Sequence, residues 1–131
     1  MKILNAFSLN MVSDLLEGFS VRFTPLSQEA VGRLSEQIGK PFYSAIGHAD
    51  TAALVSADLG MKLPYNRETI SVERGDEVLV AQYRGPRLEE GTTVLPEGAR
   101  FEYVLVSMPK RFNGDNPEGY VSPRQYWEDF V

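Results

Sequence analysis

Residues 42–60 read FYSAIGHADTAALVSADLG, and two periodicities meet inside that stretch. Phe42 to Ile46 is a short apolar run with strand character, and Gly47 breaks it. From Asp50 onward, Ala52, Ala53, Leu54, Ala57 and Leu59 give an apolar face of small residues. Asp50 can cap such a helix and Gly60 can close it. Small side chains suit close packing against a sheet. Strand, turn and helix in this order predict an α/β layer, with His48 on the turn that enters the helix.

Outward from this unit the same two periods alternate. Upstream, Ser27 is a good N-cap, Ala30, Val31, Leu34 and Ile38 follow at helical spacing, and Gly39 with Pro41 ends the element. Before it, Phe19 to Thr24 alternates, with Phe19, Val21 and Phe23 on one face, which predicts a half-buried strand stopped by Pro25. Lys2 to Phe7 has the apolar character of a buried first strand. Downstream, Thr69–Val72 and Val78–Tyr83 predict a hairpin joined through Glu73-Arg74-Gly75-Asp76. Phe101 to Met108 is the last strong strand. The expectation is an α/β fold: a single mixed-sheet domain of about five or six strands with two main helices over residues 1–108. Residues 109–131 form a C-terminal extension, in which Ser122-Pro123 can start a short helix bearing Tyr126, Trp127 and Phe130.

Composition narrows the function. The chain has 131 residues, 43% hydrophobic and 24% charged, which is one globular domain's worth. Thirteen Lys+Arg against eighteen Asp+Glu give −5, so there is no general basic coat for duplex DNA or an anionic membrane. With no Cys and one His, thiolate sites and His-rich zinc sites are excluded. No run approaches a membrane span, and the N-terminus lacks the pattern of a secretory signal. A cytoplasmic protein is the expectation, in the host cell's cytoplasm if the chain is viral.

Chemistry-bearing candidates are few. There is no Walker-type phosphate loop, no dinucleotide-binding glycine motif and no nucleophile elbow. His48 beside a helix start can act as acid or base next to an anion, or simply bond to backbone. In the Arg84–Glu90 loop, Arg87 can hold a phosphate and Glu90 can orient a catalytic group, or both can be solvated surface charge. Ser8 and Asn10 follow a strand, where ligand-facing loops begin, but they also suit plain turn capping. Asn66-Arg67 is equally open.

Taken together, several blocks occur in a telling order: Asn5-Ala6-Phe7-Ser8-Leu9-Asn10-Met11; Ser44-Ala45-Ile46-Gly47-His48 with Thr51; Asn66-Arg67; Gln82; and Arg87-Leu88-Glu89-Glu90-Gly91. The set resembles the viral ring nucleases that act as type III anti-CRISPR proteins, a family of small archaeal-virus and phage proteins with bacterial relatives. The resemblance implies a homodimer that binds cyclic tetra-adenylate, the second messenger of type III CRISPR systems. It implies ring opening with no metal and no cofactor, giving linear di-adenylates that end in a 2′,3′-cyclic phosphate. It assigns catalysis to His48, Arg87 and Glu90. It matches Ser8, with Asn10 beside it, and Gln82 to ligand-binding positions, and substrate binding is expected also at Gly47, Arg67 and Arg84.

These residues can do that chemistry. RNA carries its own nucleophile, the 2′-hydroxyl, so the protein must align it, stabilise charge and protonate the leaving 5′-oxygen. His48 can supply the proton, Glu90 is the expected partner of His48, and Arg87 offers a planar fork to phosphate oxygens. A four-phosphate ring needs one basic pocket rather than a basic coat, and its two-fold symmetry matches that of a dimer. Two other readings remain: a module that sequesters the ring uncut, and a small dimeric interaction protein.

Overall fold

Strand β4, Glu77–Arg84, organises the domain. In the computed structural model, which describes residues 1–12 and 20–109, β4 pairs antiparallel with β5, Arg100–Ser107, along its whole length. On its other side β4 pairs parallel with β1, Lys2–Leu4, and β1 pairs parallel with β3, Tyr43–Ser44. Strand β2, Arg22–Leu26, lies antiparallel against β5. The resulting five-stranded mixed sheet has the order β2-β5-β4-β1-β3. Val78, Leu79, Val80 and Ala81 are all buried, so the centre of β4 is covered on both faces and reads as a continuous apolar run rather than an alternation.

The two faces are covered differently. On one, Ile3, Leu79, Ala81 and Tyr103 pack against Val31 of α1, Gln28–Ile38, and against Ala52, Leu54 and Val55 of α2, Ala49–Leu59. On the other, Leu4, Val78, Val80 and Val106 are covered by Val12, Ile70 and Val72, which belong to loops rather than helices. Helix α1 starts where Ser27 Oγ accepts the Ala30 N–H at 3.1 Å, and left-handed Gly39 ends it. Helix α2 ends at left-handed Gly60. The Tyr103 hydroxyl donates to Asp58 Oδ2 at 2.5 Å, tying α2 to β5. Burial, and then the Asp58 carboxylate, push the Tyr103 phenol well above its ordinary range.

Three expectations change. Pro25 does not stop β2: it sits inside the strand, opposite Val104. Strand β2 is an edge of the sheet, where a residue with no N–H is tolerated. Nor is all of the expected apolar face buried: Val21 is half-buried against the loop-side core, but Phe23 is 59% exposed and meets Phe7 edge-on at 6.2 Å, while Thr24 and Leu26 on the other face are half-buried. Phe19 lies outside the described residues. Second, residues 69–72 do not form a hairpin with β4. The turn exists, with the Glu73 N–H donating to Asp76 Oδ2 at 2.8 Å, but β4 takes β5 and β1 as partners. Residues 69–72 contribute only a bridge between Val72 and Val12. Third, the cap of α2 is His48 rather than Asp50. The expected short helix of the C-terminal extension lies outside the described residues. Among the described residues no helix is long and apolar enough to cross a membrane.

Candidate functional site

Strands β1, β3 and β4 run parallel, so their carboxyl ends share one edge of the sheet. Ligand sites in α/β sheets form beyond that edge. Ser8 follows β1, Gly47 and His48 follow β3, and Arg87 follows β4.

His48 holds the N-cap of α2 with extended backbone, φ −139° and ψ 122°. Its Nδ1 accepts the Thr51 N–H at 3.3 Å, and Thr51 Oγ1 lies 3.3 Å from the same nitrogen. A ring nitrogen that accepts carries no proton, so the neutral imidazole holds its proton on Nε2. Nδ1 is engaged with the helix, which leaves Nε2 as the working atom.

The loop between β4 and β5 reaches over this helix start. Its base is tight: a Cβ at Gly85 would come 2.7 Å from Ala99 Cβ and 2.8 Å from the Tyr83 hydroxyl, so only glycine fits there. The Tyr83 hydroxyl donates to Pro86 O at 2.6 Å. Leu88 then packs against the helix-side core. Further on, the Gly91 N–H donates to Asp50 Oδ2 at 2.8 Å. His48, Ala49, Asp50, Arg87, Glu90 and Gly91 line the open cleft of ≈ 540 Å³ that results. The fold therefore brings His48, Arg87 and Glu90 to one cleft. One guanidinium faces the carboxylates of Asp50, Glu89 and Glu90 there, and the free amides of the α2 N-terminus add positive potential.

The other predicted residues do not line this cleft. Gly47 and Arg67 touch: a Cβ on Gly47 would lie 3.5 Å from Arg67 Cγ. The Asn66 side chain holds that segment beside the turn by donating to Ser44 O at 2.8 Å. Gln82 and Arg84 alternate with Ala81, so they project to the face opposite α2. Gln82 donates to Tyr83 O at 3.2 Å, and Arg84 bonds Glu102 at 2.7 Å. Ser8 and Asn10 are exposed on a one-turn 3-10 helix at Leu9–Met11. The Ser8 side chain makes no cap bond; its carbonyl closes the turn by accepting the Met11 N–H at 3.1 Å. Among the described residues no three His, Asp or Glu side chains gather as a metal site would need.

Asp50 was legible in the sequence only as a helix cap, and nothing local pointed to its bond with Gly91, 41 residues away. Thr51 stood in the sequence only as a neighbour of His48.

The STIV B116-like family model matches residues 1–99, which takes in His48, Arg87 and Glu90. The chain belongs to that family. Among solved structures, B116 of Sulfolobus turreted icosahedral virus is similar, with a TM-score of 0.63 and 28% identity. That match covers 81% of this chain and 97% of the viral one. No curated protein matches the chain. The B116-like match ends just before β5 begins and leaves the C-terminal extension outside it.

Proposed function

We propose that this chain is a metal-independent ring nuclease that opens cyclic tetra-adenylate and so switches off the effectors that the ring activates. The observation that carries this reading is the joining of His48, Arg87 and Glu90, far apart in sequence, along one cleft at the carboxyl edge of the parallel strands. Membership of a family named for a viral protein supports it.

The residues divide the reaction as follows. Arg87 pairs the scissile phosphate and stabilises the charge that builds on it. The adjacent 2′-hydroxyl attacks phosphorus, the bond to the 5′-oxygen breaks, and a 2′,3′-cyclic phosphate forms. His48, charged as imidazolium, protonates the departing 5′-oxygen through Nε2 and is left as the neutral ring. Since Nδ1 is held by Thr51, Glu90 is better used on the 2′-hydroxyl, whose proton it accepts, than on His48. Gln82 and Arg84 on the opposite face of the sheet, with Ser8 and Asn10 on the exposed turn after β1, would hold the rest of the ring, and a homodimer would present two such clefts to two opposite phosphodiesters.

The test is incubation of the full chain with cyclic tetra-adenylate and with its 2′-deoxy analogue, followed by separation of products. Cutting of the ribose ring alone is expected. Retention of an intact, bound ring would make the protein a sequestering module, and cutting of the deoxy ring would rule out the 2′-hydroxyl as nucleophile. His48→Ala should bind the ring and cut at least about 10²-fold more slowly in single turnover.

A further inference from the structure

We infer that Asp50 is a positioning residue, whose carboxylate ties the Arg87–Glu90 loop to the start of α2 and so fixes that loop over His48. The inference rests on the proposed ring-nuclease reading for its effect on rate, though not for the tie itself.

The loop of residues 85–99 is long for a compact domain, and loops of that length without secondary structure usually serve function. Arg87 and Glu90 are both exposed on it. Two anchors hold this stretch, one between them and one just after Glu90. Leu88 packs on the helix-side core, and the Gly91 amide bonds Asp50 at 2.8 Å. The second anchor crosses the cleft between the two halves of the site. Asp50 is two residues from His48, and Gly91 is next to Glu90. Residues 89–92 close into a turn, because the Thr92 N–H and the Thr92 hydroxyl both donate to Glu89 O, at 3.1 and 2.5 Å. That closed turn contains Glu90 and Gly91, so the tie that places Gly91 places the Glu90 carboxylate with it. A shift of about 1 Å between reacting groups can cost about 10²-fold in rate.

Asp50 has another available role. It is an acidic residue in the first turn of α2, where its charge complements the helix dipole. Asparagine separates the two roles, since it keeps an oxygen that accepts the Gly91 N–H and loses the charge.

The experiment compares the full-length wild type, Asp50→Ala and Asp50→Asn by single-turnover cleavage and affinity for cyclic tetra-adenylate, and by hydrogen exchange of the Gly91 amide. Asp50→Ala should slow cleavage by about 10²-fold with less than about a tenfold loss of affinity, and should expose the Gly91 amide to exchange. Asp50→Asn should keep the amide protected and cut within a few-fold of wild type. Two results overturn the inference: an Asp50→Ala protein that cuts normally, or an Asp50→Asn protein as slow as Asp50→Ala, which would make the charge rather than the tie responsible. If the wild type leaves the ring uncut, the functional reading falls and the exchange arm still decides. Protection lost in Asp50→Ala alone supports the tie, and protection unchanged in both variants refutes it.

Discussion

In the proposed reaction His48 has two duties that share one ring. Nδ1 caps α2 through the Thr51 amide, which leaves Nε2 as the nitrogen for the cleft that His48 lines. When the ring is charged, Nδ1 becomes a donor and the Thr51 N–H loses its acceptor. Thr51 Oγ1, at 3.3 Å, is the group able to bond Nδ1 in either state, donating to the neutral ring and accepting from the charged one. Thr51→Val should therefore slow ring opening by about tenfold with affinity unchanged, since a neutral hydrogen bond is worth about 0.5–1.5 kcal/mol. An unchanged single-turnover rate would remove the hydroxyl from this role. Arg87→Ala and Glu90→Gln should part company. The first should weaken ring binding and cleavage together, and the second should lower the rate with binding retained, as titration of the ring and quench-flow would show. A Glu90→Gln enzyme as fast as wild type from pH 6 to 8 would return Glu90 to the solvated surface. At this scale the sequence named the three cleft residues through the order of their blocks. It missed Asp50 because a bond across 41 residues leaves no local pattern.

Among the elements, α2 is held at both ends by polar bonds outside the helix ladder: Asp50 to the β4–β5 loop and Asp58 to Tyr103 on β5. Tyr103 is buried and its phenol sits well above the ordinary range, so the folded chain keeps that proton after the unfolded chain has lost it. The unfolded state then binds fewer protons above about pH 10, and stability falls with rising pH from there. Below pH 10 the contribution is fully present. Tyr103→Phe should cost about 1–3 kcal/mol at neutral pH and flatten the alkaline fall, which denaturant melts of both proteins from pH 8 to 11 would read. Equal alkaline slopes would contradict this assignment. The helices were legible because Ser27, Gly39 and Gly60 act locally, within a turn of the residues they cap. The strands were less so. Val78–Tyr83 shows that it is a strand but not that its partners are β1 and β5, and Pro25 reads as a stop unless the edge position of β2 is known.

For the whole molecule, both faces of the sheet are covered and the carboxyl edge of its parallel strands is left for chemistry. A net charge of −5 fits a protein that meets one small anionic ring rather than a long polyanion. In the proposed reaction, in-line attack by a ribose hydroxyl would need no metal-activated water, because the substrate's 2′-hydroxyl would be the nucleophile, with His48 as acid and Arg87 as charge stabiliser. The most direct test is the mass spectrum of products from cyclic tetra-adenylate incubated in excess EDTA with wild-type protein and with His48→Ala. The account predicts linear di-adenylate ending in a 2′,3′-cyclic phosphate, formed by the wild type at the same rate with or without chelator and at least about 10²-fold more slowly by the variant. An intact ring with the wild type, or cleavage that chelation abolishes, would contradict it.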